Sequence, residues 1–191
     1  MRLLSKLKLL SYILLFTLGC EDDGNIWNEE NNCSECNEVY TSDWREAPFY
    51  YNLVTKEEDA ITWHISLQKI EVLLGNNAYG MPSIILGSNV LISIYNSISF
   101  DDIIATPTDA TWSSDTSLTS YGNEHEVLHY KYFCSKLLTG EHTHSKEHKI
   151  MVMPNNYLIK EISTNNIYKL HFEAYDSWVV QFQFVQLNVE D

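Results

Sequence analysis

The sequence predicts an all-β protein built as a single antiparallel domain, and three features carry that expectation. Apolar residues recur with period two through most of the chain from Pro48 onward, stripes at helical spacing are scarce, and the last third falls into strand-like runs separated by short polar turns. The 191 residues, 45% hydrophobic and 13% aromatic, suffice for one domain with a short appendage. Seven glycines and four prolines are too few for a fibrous or low-complexity chain.

Taken in order, the chain opens with an address. Arg2, Lys6 and Lys8 precede the apolar run Leu9 to Leu18 and then Gly19-Cys20, the layout of a secretory signal. The run is shorter than the ~20 apolar residues a helix needs to cross a bilayer. Thr17-Leu18-Gly19-Cys20 resembles a bacterial lipobox, whose cysteine is acylated and becomes the mature N-terminus. A plain signal peptide with an incidental cysteine is the alternative. Residues 1–19 are therefore read as signal, 20–46 as the lipidated Cys20 with an acidic tether, and 47–191 as the folded body. Glu21-Asp22-Asp23 resembles the acidic export signal of surface lipoproteins in Bacteroidota-type bacteria, which implies an outer-membrane lipoprotein displayed at the cell surface.

Charge narrows the partners. Twelve Lys and Arg stand against 26 Asp and Glu, a formal balance of −14. Removing residues 1–19 takes three cations and no acid, so the mature chain is more acidic still. Affinity for nucleic acid comes largely from cations that displace counterions, and this surface lacks them, so nucleic acid is not an expected partner. Acyl chains would hold such a body at a membrane that it would not otherwise touch.

Residues 21–40 contain seven acids and no Lys or Arg, which predicts an extended, self-repelling tether. Inside it lies Cys33-Ser34-Glu35-Cys36. Asn37 follows where covalent haem attachment needs His, and no second such motif completes a zinc site, so an inert disulfide is the expected state. Cys134 is left over and reads as a buried thiol.

The body begins with an aromatic strand, Phe49 to Val54, ended by the charged turn Lys56 to Asp59. Ile61, Trp63, Ile65 and Leu67 alternate with Thr62, His64, Ser66 and Gln68, as in a half-buried strand. The apolar phase then shifts to Ile70, Val72 and Leu74, which predicts a bulge near Lys69. Gly75-Asn76-Asn77 and Gly80 mark a loop, with Met81 inside it. Ser83 to Leu86 and Val90 to Tyr95 read as strands, and Ser99 to Ile103 as one capped helical turn. Thr106 to Thr119 is polar and irregular, and Glu126 to Leu138 resumes as a strand. Ile150 to Met153, Tyr157 to Ile162, Ile167 to Tyr175 and Trp178 to Leu187 complete the list, the last three as an antiparallel meander.

Chemistry-bearing motifs are few. No Gly-rich phosphate loop, no GxSxG and no HExxH is present, and no carboxylate pair is singled out by spacing, so an enzyme is not expected. Histidine placement is distinctive instead, because His125, His129, His142, His144 and His148 crowd into one stretch. His142, His144 and His148 lie in the polar segment Thr139 to Lys149, either as solvated loop residues or as ligands for zinc or copper. His129 sits on a strand, where packing decides its role, and His64 and His171 read as structural. Met81 is the methionine least committed to a core, and with Met151 and Met153 it offers a thioether that haem iron accepts.

Several segments in order resemble one family. They are the lipobox with its tether, Phe49 to Thr55, Ile61 to Leu67, Ser97 to Ile104 with Pro107-Thr108-Asp109, Trp112 to Asp115, and finally Tyr157 to Lys160, Tyr168 to Tyr175 and the strand from Trp178. Together, over roughly residues 47–187, they resemble the HmuY-like haem-binding lipoproteins. The resemblance implies a hand-like all-β body that grips haem between strand-tip loops through two axial His or Met side chains. It also implies transfer of that haem to a TonB-dependent outer-membrane receptor. Carried over by position, the ligands fall on His125 and on His144 or its neighbour His142, with Met81 and His129 as alternatives. The chain departs from the family pattern at Trp63-His64, at Gly75 to Met81 and in the turn before Tyr168. If Thr139 to Lys149 is an insertion, Cys134 or His129 takes the second ligand position. A zinc- or copper-binding lipoprotein and a haem-free surface adhesin or accessory subunit of the same fold are the other two readings.

Overall fold

The computed structural model describes residues 33–74, 76–114, 127–134 and 146–188, with backbone alone for 74, 130–134 and 146–149. Those residues are all-β, with no helix among them: β1 (Asn37–Tyr40), β2 (Phe49–Asn52), β3 (Glu57–Glu58), β4 (Ile65–Leu74), β5 (Asn77–Leu86), β6 (Val90–Ile94), β7 (Leu128–Cys134), β8 (Lys146–Val152), β9 (Asn156–Glu161), β10 (Ile167–Asp176) and β11 (Val179–Gln186). They pair into a five-stranded sheet ordered β1-β11-β10-β9-β6, a four-stranded sheet ordered β3-β2-β4-β5, and the hairpin β7-β8. Every pairing between these strands is antiparallel.

Period-two patterning explains how the sheets meet. Tyr157, Ile159, Tyr168, Leu170, Phe172, Phe182 and Phe184 leave one face of the five-stranded sheet and are all buried. Phe49, Tyr51, Ile65, Leu67, Ile84 and Leu86 answer from the four-stranded sheet in the same core cluster. Tyr51 joins the layers, its ring edge-on to Phe182 at 5.6 Å and to Phe184 at 5.8 Å. Val127 and Leu128 enter that core too, so the β7-β8 hairpin is anchored at its base. The opposite face of the five-stranded sheet carries a second cluster, in which Ile103 covers Leu158, Ile167 and Leu187.

The meander forms as its sequence predicts, with β9, β10 and β11 side by side. Its last turn is Ser177-Trp178, both at positive φ, which is the backbone that a two-residue hairpin wants and a bulky residue resists. Trp44 accounts for the choice. It is 1% exposed, and its ring meets Trp178 edge-on at 4.9 Å. Burial of both indoles against each other offsets the local backbone cost.

Four expectations are corrected. The acidic tether does not extend to residue 46, because β1 pairs with β11 from Asn37↔Phe184 to Tyr40↔Gln181 and Trp44 lies in the core. A polar composition hid a strand whose backbone is satisfied by an edge of the sheet. Ile61 is not an inward strand residue: it is 90% exposed, in a turn where Asp59 accepts the N–H groups of Ile61 and Thr62, and β4 starts only at Ile65. No bulge interrupts β4 near Lys69, since its register with β5 runs unbroken from Ile65↔Leu86 to Leu74↔Asn77. The segment Asn77 to Pro82 is strand and not loop, so Met81 sits in β5 opposite Ile70. Gly80 reads as a breaker in sequence, but a Cβ there would overlap Lys69 Cε, so the glycine makes room for a neighbouring side chain. Ser99 to Ile103 forms the single capped turn expected: Ser99 Oγ accepts Asp102 N–H at 3.3 Å, and Ile103 N–H donates to Phe100 O at 3.3 Å.

The Cys33–Cys36 disulfide expected from the spacing is present, with Cα atoms 5.3 Å apart. It closes the turn that leads into β1.

Candidate functional site

The unbroken β4-β5 register gives the phase shift at Lys69 a different meaning. Along β4, Ile65 and Leu67 point into the core, while Gln68, Ile70 and Val72 leave the other face. On β5, Ser83, Met81 and Tyr79 share that second face. Its burial falls off steadily outward. Ser66 and Ser83 are fully buried, Gln68, Ile70, Met81 and Val72 half-buried, and Tyr79 is 46% exposed. The outward Lys69, Glu71 and Leu73 on the first face are exposed. The distal half of the hairpin thus carries an apolar row of Ile70, Val72, Tyr79 and Met81 that lies outside the core clusters of the described residues. At its inner end the Ser83 hydroxyl is buried without a hydrogen-bond partner, whereas Ser66 Oγ accepts Gln68 Nε2–H at 2.9 Å.

β5 comes against β7, the first strand of the two-stranded hairpin. In that hairpin His129 stands directly across from Met151. Cross-strand partners project from one face, and both side chains are half-buried. Met153 follows β8, half-buried, with its N–H donated to Val127 O at 2.7 Å. His148 lies in β8 opposite Tyr132, so it is a strand residue rather than part of a continuous polar loop. His125, His142, His144 and the lipidation candidate Cys20 lie outside the described residues. The described residues nearest His125 and His144 are Val127 and Lys146. Val127 is at one end of the ladder and Lys146, paired with Cys134, at the other. At about 3.3 Å per residue the two ends are roughly 20 Å apart.

The two remaining histidines, His64 just before β4 and His171 in β10, are held by the fold. His64 is buried, and its Nδ1 accepts Leu53 N–H at 3.1 Å. That fixes the proton on Nε2, which lies 3.8 Å from Glu161 Oε1. Burial pulls the His64 pKa below its ordinary value, against the opposing pull of Glu161. His171 places Nδ1 3.2 Å from Asn156 Oδ1 under the Phe100 ring, and burial lowers its pKa too. Both rings spend their polar atoms on the fold.

Reading the sequence missed Ile70, Val72, Tyr79 and Ser83 as members of one surface. The signal was there in the phase shift at Lys69, but a change of buried face and a bulge leave the same trace in sequence. Among the described residues, no three His, Cys, Asp or Glu side chains converge in a way that would hold a metal ion. Comparison with protein-family models, with curated proteins and with solved structures finds no match to the chain.

Proposed function

We propose that this chain is a haem-binding lipoprotein of the HmuY-like kind, held at the outer membrane by acyl chains on Cys20, that passes haem to a TonB-dependent receptor. The observation that carries the proposal is the distal β4-β5 face, where an apolar row ends in a thioether and an unpaired buried hydroxyl. A porphyrin is a flat apolar ligand with polar edges, and Met81 is a soft donor of a type that haem iron accepts. The residues present fit that group. Bound haem would supply the iron and its ligand exchange, while the protein supplies orientation and an apolar, water-poor wall.

The axial pair is drawn from His125, His144, His142, Met81 and His129. Each histidine-bearing segment starts at one end of the β7-β8 ladder. Met81 serves as the ligand if only one of those segments reaches the iron.

A haemin titration followed by absorbance in both oxidation states tests this. A saturable one-to-one Soret shift with low-spin bands is expected. Replacing His125, His144 or Met81 by Ala is expected to turn the spectrum high-spin for whichever two are ligands. A low-spin spectrum that survives these three changes and those of His142 and His129 to Ala refutes the ligand assignment, and a non-saturating response refutes haem binding. Saturable zinc or copper binding that needs His142, His144 and His148 would establish the metal-binding alternative in its place.

A further inference from the structure

A cleft of about 430 Å³ opens between the disulfide turn, the Phe100–Ile104 turn and the end of β11, and none of its lining residues belongs to β4, β5 or β7. Its walls differ in charge and depth. Lys169 lines it from β10 and is only 5% exposed, whereas Glu35 and Asp101 line it from exposed positions. Ile103, Ile104 and Leu187 supply apolar surface in the same cleft. Ile104 is 79% exposed despite its size.

Lys169 is the anomaly. Its ammonium donates to Phe100 O at 2.8 Å and sits 4.4 Å above the Phe100 ring. An ammonium has three donors, and this one has no other hydrogen-bond acceptor among the described residues. Burial pulls its pKa below the ordinary lysine value, while Asp101, Asp102 and Glu35 act on it only through space and favour its charged form. A buried cation with spare donors is costly unless an acceptor completes its shell.

The charge layout selects the acceptor. A simple anion would meet Lys169 but be repelled by Glu35 and Asp101, and a simple cation would meet those carboxylates but find an ammonium beneath them. We propose that this cleft binds a zwitterion, an apolar amino acid or dipeptide. Its carboxylate takes the free donors of Lys169, its ammonium sits between Glu35 and Asp101, and its side chains lie on Ile103, Ile104 and Leu187. The volume falls within the roughly 300–1,000 Å³ usual for small-molecule sites.

Calorimetry on the full chain tests it with leucine and leucyl-leucine, each also as the N-acetylated form and the C-terminal amide. Saturable one-to-one binding of at least one zwitterion is expected, with both of its capped forms weaker by tenfold or more. Lys169→Met should bring the zwitterion down to the affinity of its amide. Should that variant fail to fold, the exposed pair Glu35→Gln and Asp101→Asn still carries the test, and it should bring the zwitterion down to the affinity of the acetylated form. No saturable binding of either zwitterion, equal binding of the capped forms, or binding that survives these substitutions overturns the proposal.

Discussion

The two halves of the β4-β5 hairpin share one ladder and differ in almost everything else. In the proximal half, Ile65, Leu67, Ile84 and Leu86 are each at most 2% exposed, and Ser66 and Ser83 are fully buried on the other face. In the distal half the backbone pairing continues without a break, yet Leu73 is 74% exposed and Tyr79 46%. Hydrogen bonding therefore does not separate them, and packing does. A two-stranded ribbon in water is marginal by itself, so the distal half is held out by the proximal half. That contrast is the reason to look for a ligand on the distal face.

The largest effect should come from the side that is packed. Trp44→Ala removes a fully buried indole and the partner of Trp178, and is expected to cost about 3–5 kcal/mol in denaturant unfolding. A loss under about 1 kcal/mol would return residues up to 46 to the tether and weaken the contrast between a closed core and an unused face.

His64 gives an intermediate effect with a pH signature. Its folded pKa lies below the ordinary 6.5 because burial disfavours the charged ring. The unfolded chain therefore binds the proton first, so stability is full above about pH 6.5 and falls as the pH drops toward the folded pKa. His64→Ala should cost roughly 1–3 kcal/mol at neutral pH by orphaning Leu53 N–H, and should flatten that acid slope. Urea melts between pH 7.5 and 5 would read both, and an unchanged slope would assign the acid response to other groups, His171 first.

The smallest effect on stability should come from the distal face. Tyr79→Ala is expected to change unfolding by less than about 1 kcal/mol, since the ring is half in water already. If the proposed haem site is there, the change should nevertheless weaken haem by about three- to tenfold, the worth of one aromatic contact. A large stability loss with unchanged haem affinity would mean that the distal face is simply core.

What could be read from residues alone was whatever depends on local pattern. Period two from Pro48 onward, the Asn- and Ser-containing turns and the four C-terminal runs led to an all-β body and a correctly ordered β9-β10-β11 meander, because side-chain alternation and turn chemistry are written in neighbouring residues. The Cys33–Cys36 spacing led to the disulfide in the same way. The tertiary structure alone decided where those elements meet. β1 is a strand only because β11 offers it an edge, and Trp44 is core only because Trp178 turns toward it. Met81 left the loop assigned to it because the β4-β5 ladder runs unbroken past it, with Ile70 as its partner. The Lys169 cleft gathers residues from four separate stretches of chain, around Cys33, Asp101, Lys169 and Leu187. Such neighbours leave no periodic mark in sequence, since what joins them is shared burial and charge in space.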